Sequence, residues 1–107
     1  MSEIVIHKNN NGKSYEIIHS NSIIINLPEN PSTGYRWKIK EYDNRIIDEI
    51  SLTFSLAPNA ALGEGGMRIF SFKANMPGTT KIKIDLRREW EPESSIMDSF
   101  EVTIHVK

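Results

Sequence analysis

Few side chains in this 107-residue sequence are equipped for covalent or metal chemistry. The three histidines, His7, His19 and His105, fall in separate segments without the close spacing of a metal-ligand set. There is no cysteine, which removes disulfides, a thiolate nucleophile and thiolate metal sites together. Glu89, Glu91 and Glu93 could offer a carboxylate pair of the kind used on glycosides, but acids crowded on one exposed loop are ordinarily just solvated. No serine or threonine stands in a recognisable nucleophile elbow. Catalysis, a bound metal and a cofactor are therefore not expected, and attention moves from reactive groups to groups that could bind.

Three segments carry binding chemistry. In Asn30-Pro31-Ser32-Thr33-Gly34, the proline fixes its own φ and disfavours a helical Asn30, while Gly34 tolerates left-handed backbone, so the loop is stiffened at both ends. Ser32 and Thr33 at its tip supply hydroxyls that can bond the local backbone or a partner. Gly63-Glu64-Gly65-Gly66 closes a polar connection that begins near Ala57, and its glycines let another backbone come close. It is not a phosphate loop, because no Lys-Ser or Lys-Thr pair follows. In Arg87-Arg88-Glu89-Trp90-Glu91-Pro92 a tryptophan sits among charges, and exposed Trp and Arg are the residue types that dominate interface hot spots.

The segments between these loops read as strands. Phe100, Val102, Ile104 and Val106 alternate with polar residues, as do Ile82, Ile84 and Leu86, then Tyr35, Trp37 and Ile39, then Phe70, Phe72 and Ala74, and also Leu52, Phe54 and Leu56. Trp37 belongs with the core. Further strands are expected at about 3–8, 14–19 and 22–27, separated by turn formers at Asn9-Asn10-Asn11-Gly12 and Asn21. Met76-Pro77-Gly78-Thr79 has the composition of a type II turn between two antiparallel strands. Between Glu41 and Ile50, Tyr42, Ile46, Ile47 and Ile50 approach helical spacing, which suggests a short helical turn. Seven or eight short antiparallel strands in one domain, residues 1–107, indicate an all-β immunoglobulin-like sandwich, whose loops gather at its two ends.

The charge balance, 13 Lys and Arg against 14 Asp and Glu, gives no basic surplus to attract nucleic acid or an anionic membrane. No run approaches the roughly 20 apolar residues that span a bilayer, and no signal peptide is recognisable, so a cytoplasmic location is expected. A monomer is expected because no second apolar surface shows in the sequence.

Taken in order, the three loops resemble the chagasin family of cysteine-peptidase inhibitors, marked by an Asn-Pro-Thr-Thr-Gly-Tyr/Phe loop, a Gly-x-Gly-Gly loop and an Arg-Pro-Trp/Phe loop. Asn30 to Tyr35 matches with Ser32 in place of a threonine, Gly63 to Gly66 matches fully, and Arg88 to Trp90 matches with Glu89 in place of the proline. The resemblance implies an immunoglobulin-like sandwich that inhibits papain-like peptidases without catalysis. Asn30, Pro31, Ser32, Thr33, Gly34 and Tyr35 would enter the cleft over the catalytic cysteine, with Thr33 at the centre. Gly63, Glu64, Gly65 and Gly66, and Arg88 with Trp90, would grip the walls. Glu89 frees the third loop's backbone relative to the family. The alternative is a carbohydrate-binding or adhesion-type sandwich in which Trp90 stacks on a sugar ring.

Overall fold

Among the described residues, alternating apolar residues pair into eight strands. The computed structural model describes residues 3–56, 65–88 and 96–107. The strands are β1 (Glu3–His7), β2 (Ser14–Ile17), β3 (Ser22–Glu29), β4 (Tyr35–Glu41), β5 (Ile47–Leu56), β6 (Gly66–Ala74), β7 (Gly78–Arg88) and β8 (Asp98–Val106). One sheet has the order β1-β3-β6-β5 and the other β2-β8-β7-β4. The inward residues of both meet in one core: Ile23, Ile25 and Leu27 with Phe70 and Phe72 from the first sheet, and Ile82, Ile84, Phe100, Val102 and Ile104 from the second, all buried. Trp37 is 2% exposed, and its indole Nε1 donates to the Pro28 carbonyl at 2.8 Å, satisfying the one polar atom of a core ring. This is the all-β, immunoglobulin-like sandwich expected from the alternation.

Four ladders are antiparallel, while β1 runs parallel to β3 and β2 parallel to β8. The chain passes from one sheet to the other through a short 3-10 turn, Lys8–Asn10, so no hairpin constrains the direction of either strand.

Two local expectations are corrected, for Met76 to Thr79 and for Leu52, and the short helical turn between Glu41 and Ile50 is found. Met76 to Thr79 is not a type II turn joining paired strands: β6 and β7 lie in different sheets, and Gly78 has φ 152°, far from the roughly +80° of that turn. The segment is a crossover, tied down by the Asn75 amide donating to the Ile46 carbonyl at 2.8 Å. The helical spacing from Glu41 to Ile50 yields the expected short turn, in which the Ile46 and Ile47 amides share the Asp43 carbonyl at 3.1 and 3.2 Å as the chain enters β5. Beside that turn, hydrogen bonds from the Arg45 side chain and amide hold the Asp43 carboxyl below its usual range. The alternation of Leu52, Phe54 and Leu56 predicts an inward face for Leu52, which is instead 50% exposed. β5 is an edge strand that packs chiefly on β6, its register breaks between Glu49 and Ser51, and Phe54 is covered by the Arg68 guanidinium 4.8 Å above its ring.

Candidate functional site

Strand polarity decides where the three loop segments emerge. Glu29, the last residue of β3, pairs with Gly66, the first of β6, and Gly66 pairs on its other side with Leu56, the last of β5. In the second sheet Tyr35, the first residue of β4, pairs with Arg88, the last of β7. The connection 30–34 passes between the sheets at this end. All three segments therefore start or finish at one pole of the sandwich. Of the residues expected to bind, Asn30 to Tyr35, Gly65, Gly66 and Arg88 lie in the described chain; Gly63, Glu64 and Trp90 lie outside it, as does Glu89.

The loop 30–34 is a compact hydrogen-bonded unit. Pro31–Thr33 makes one 3-10 turn, with the Thr33 amide donating to the Asn30 carbonyl at 3.2 Å. The Asn30 side-chain oxygen accepts the Ser32 amide at 3.0 Å and the Ser32 hydroxyl at 2.7 Å. The Thr33 hydroxyl donates to the Asn30 carbonyl at 2.8 Å and accepts the Tyr35 amide at 3.2 Å. Gly34 exits with φ 81°, left-handed backbone that a side chain would strain. Both exposed hydroxyls thus brace the loop itself, and among the described residues neither bonds an imidazole or carboxylate that could activate it.

Neighbours hold this unit on both sides. A Cβ on Gly65 would stand 2.7 Å from the Glu29 carbonyl oxygen and 3.3 Å from the Asn30 Cα, so the close approach of the second segment requires glycine there. On the opposite side the Arg88 side chain lies 4.4 Å over the Tyr35 ring, and its Nε donates to the Thr33 carbonyl at 3.3 Å. The first segment is central and the other two flank it. Between it and the start of β8, Tyr35, Leu86 and Met97 line a hollow with Met97 63% exposed at its rim.

Beneath the loop sits a group that the sequence motifs do not include. Glu29 is 4% exposed; its carboxylate accepts the Trp37 amide at 2.8 Å and the Arg68 Nε at 3.1 Å, and also pairs with Arg68 Nη2. It ties β3, β4 and β6 together directly under Asn30. The alternation places each residue inward, since Glu29 continues the series Ile23, Ile25, Leu27 and Arg68 continues the series Phe72, Phe70, but only the pairing of β3 with β6 brings the two together. Arg68 is opposite Leu27 and Glu29 opposite Gly66, so the acid and the base meet as diagonal neighbours on the inward face. Among the described residues no group of three or more His, Asp or Glu could hold a metal ion, and no helix is long and apolar enough to cross a membrane.

Comparison with known proteins gives the same fold and the same family. Chagasin of Trypanosoma cruzi is 26% identical over 95% of this chain and 94% of its own length. Amoebiasin-2 of Entamoeba histolytica is 31% identical over 79% of this chain and 70% of its own. The crystal structure of the cysteine protease inhibitor EhICP2 from Entamoeba histolytica superposes with a TM-score of 0.91 at 26% identity, covering 99% of this chain and 96% of that one. Residues 17–104 match the chagasin family peptidase inhibitors (I42), and the chain belongs to that family.

Proposed function

We propose that this protein is a reversible, tight-binding inhibitor of papain-like cysteine peptidases, and that the loop 30–34 fills the active-site cleft above the catalytic cysteine. Gly63 to Gly66 and Arg88 to Trp90 contact the cleft walls on either side. Thr33 is the central side chain. The observation that carries this reading is the arrangement at one pole: a self-bonded loop standing between Gly65 and Arg88.

The physical logic lies in the loop's shape. A peptidase cleaves a segment that can lie extended with its carbonyl aligned to the nucleophile. The 3-10 turn over Pro31–Thr33 and the bonds gathered on Asn30 hold the backbone away from that pose. Because these bonds exist before any partner arrives, little conformational freedom is left to lose on binding, which is how an interface of modest area becomes tight. The family membership, and the similarity to EhICP2, itself a cysteine protease inhibitor, support the choice of target class.

Titration of papain with the purified protein tests the reading. Stoichiometric loss of peptidase activity that recovers on dilution, with the inhibitor recovered intact, is expected. Undiminished papain and cathepsin activity at about 10 μM protein, where even an 8 kcal/mol complex would be largely formed, overturns it.

A further inference from the structure

In the proposed complex the bond most at risk is the one that joins the central loop to its exit toward β4. With Thr33 set over the catalytic cysteine, the Thr33 carbonyl carbon is the electrophile presented to the thiolate, and attack there separates Thr33 from Gly34. The bonds gathered on Asn30 all lie on the Thr33 side of that junction: the Ser32 amide and hydroxyl reach its side-chain oxygen, and the Thr33 amide and hydroxyl reach its carbonyl. They shape the loop without holding its two halves together. Only contacts that cross the junction can do that.

Two such contacts are in place. The Tyr35 amide donates back to the Thr33 hydroxyl at 3.2 Å, from one side of the junction to the other. Arg88 spans the junction from outside: its Nε donates to the Thr33 carbonyl at 3.3 Å, while its guanidinium carbon lies 4.4 Å from the centre of the Tyr35 ring. Strand pairing makes this reach possible, because Arg88 stands directly opposite Tyr35 at the loop-bearing end of the β4–β7 ladder. Directly opposed residues in an antiparallel ladder have Cα atoms about 4.5 to 5.5 Å apart. Residue type matters as much as position. A guanidinium is planar, so it covers an aromatic face and keeps a donor in its own plane, which the point charge of a lysine does not reproduce.

We infer that Arg88 is the positioning residue that protects the Thr33–Gly34 bond: it staples the two sides of that bond together, so that the peptidase is blocked rather than fed a substrate. This rests on the proposed placement of Thr33 and gives Arg88 a role besides contact with the cleft wall. Cleavage takes two steps. The cysteine thiolate attacks the Thr33 carbonyl carbon, the C–N bond to Gly34 breaks, and the Gly34 amine leaves with a proton from the peptidase's general acid, leaving a thioester. Water then hydrolyses the thioester to a carboxylate and restores the thiol, provided that the amine has moved away. The staple keeps the amine beside the thioester. Well-oriented intramolecular attack has an effective molarity of about 10⁵ to 10⁸ M, so the peptide bond re-forms before water enters.

Arg88→Met keeps a long chain and removes the donor and the charge. Incubated with papain, the unsubstituted protein stays joined at Thr33–Gly34. Arg88→Met is expected to be cut there into 1–33 and 34–107 at least about tenfold faster, read by mass spectrometry, with its inhibition fading as the cut accumulates. Arg88→Lys, which keeps the charge without the planar face, is cut at an intermediate rate and carries the test if the methionine variant does not fold. Arg36→Met, at an exposed arginine next to Tyr35 on β4, is the charge control and stays joined. Hydrogen exchange of the Tyr35 amide, measured with no peptidase present, is expected to quicken about tenfold in Arg88→Met. A folded Arg88 variant that stays uncut at Thr33–Gly34, is cut no faster than Arg36→Met, or leaves Tyr35 exchange unchanged overturns the proposal. Undiminished papain activity beside the unsubstituted protein overturns the proposed function instead, and the cleavage and exchange rates still decide the role of Arg88.

Discussion

Thr33 uses its hydroxyl in both directions, toward the Asn30 carbonyl and from the Tyr35 amide, while its methyl group stays on an exposed tip. A net intramolecular hydrogen bond contributes about 0.5 to 1.5 kcal/mol. Thr33→Val keeps the branched shape and removes both bonds, so the inhibition constant for papain is expected to rise about tenfold, with little change in the urea midpoint because the site is exposed. Thr33→Ser keeps the hydroxyl and should stay within about threefold of the original, a split that a purely steric role for the residue would reverse. Gly65 is the corresponding position on the flanking segment. Gly65→Ala places a methyl 2.7 Å from the Glu29 carbonyl oxygen, so the two segments must separate, and weaker inhibition by at least about tenfold is expected in the same assay.

At the scale of elements, the loop is only as well placed as the strands it leaves and enters. Glu29 joins the end of β3 to the Trp37 amide of β4 and to Arg68 of β6, and its side chain is fully buried while that of Arg68 is 17% exposed. Truncating one member of a buried pair strands the other, at a cost of about 3 to 5 kcal/mol. Glu29→Ala is expected to fall in that range by urea unfolding, and Glu29→Gln to lose less because an amide oxygen can still accept the Trp37 amide. If Glu29→Ala unfolds at the original midpoint, the carboxylate does not hold the pole together.

For the molecule as a whole, position in the sandwich outweighs residue type. Leu52 and Phe70 are paired in register across β5 and β6, yet Phe70 is fully buried and Leu52 is half exposed at the sheet's margin. Phe70→Ala is expected to cost about 3 to 5 kcal/mol through lost transfer energy and the cavity left behind. Leu52→Ser, measured by denaturation at low protein concentration, is expected to change stability by about 0.5 kcal/mol or less. A loss of several kcal/mol at Leu52 would mean that the edge is covered in solution even when dilute.

The sequence by itself determined the class of fold and the ordered loop motifs. Period-two alternation is a local property of extended backbone, so series such as Phe100, Val102, Ile104 and Val106 announce an inward face wherever the strand is finally paired. Pro31 and Gly34 likewise mark a stiff loop through their own φ preferences. Pairing between distant strands decided the rest. Glu29 meets Arg68 across 39 residues and Thr33 meets Arg88 across 55, separations over which no local preference reaches. Which strand lies at a margin, and hence whether Leu52 is core or surface, follows from sheet order. So does the gathering of the three segments at one pole, because only the direction in which each strand runs assigns its loop to an end.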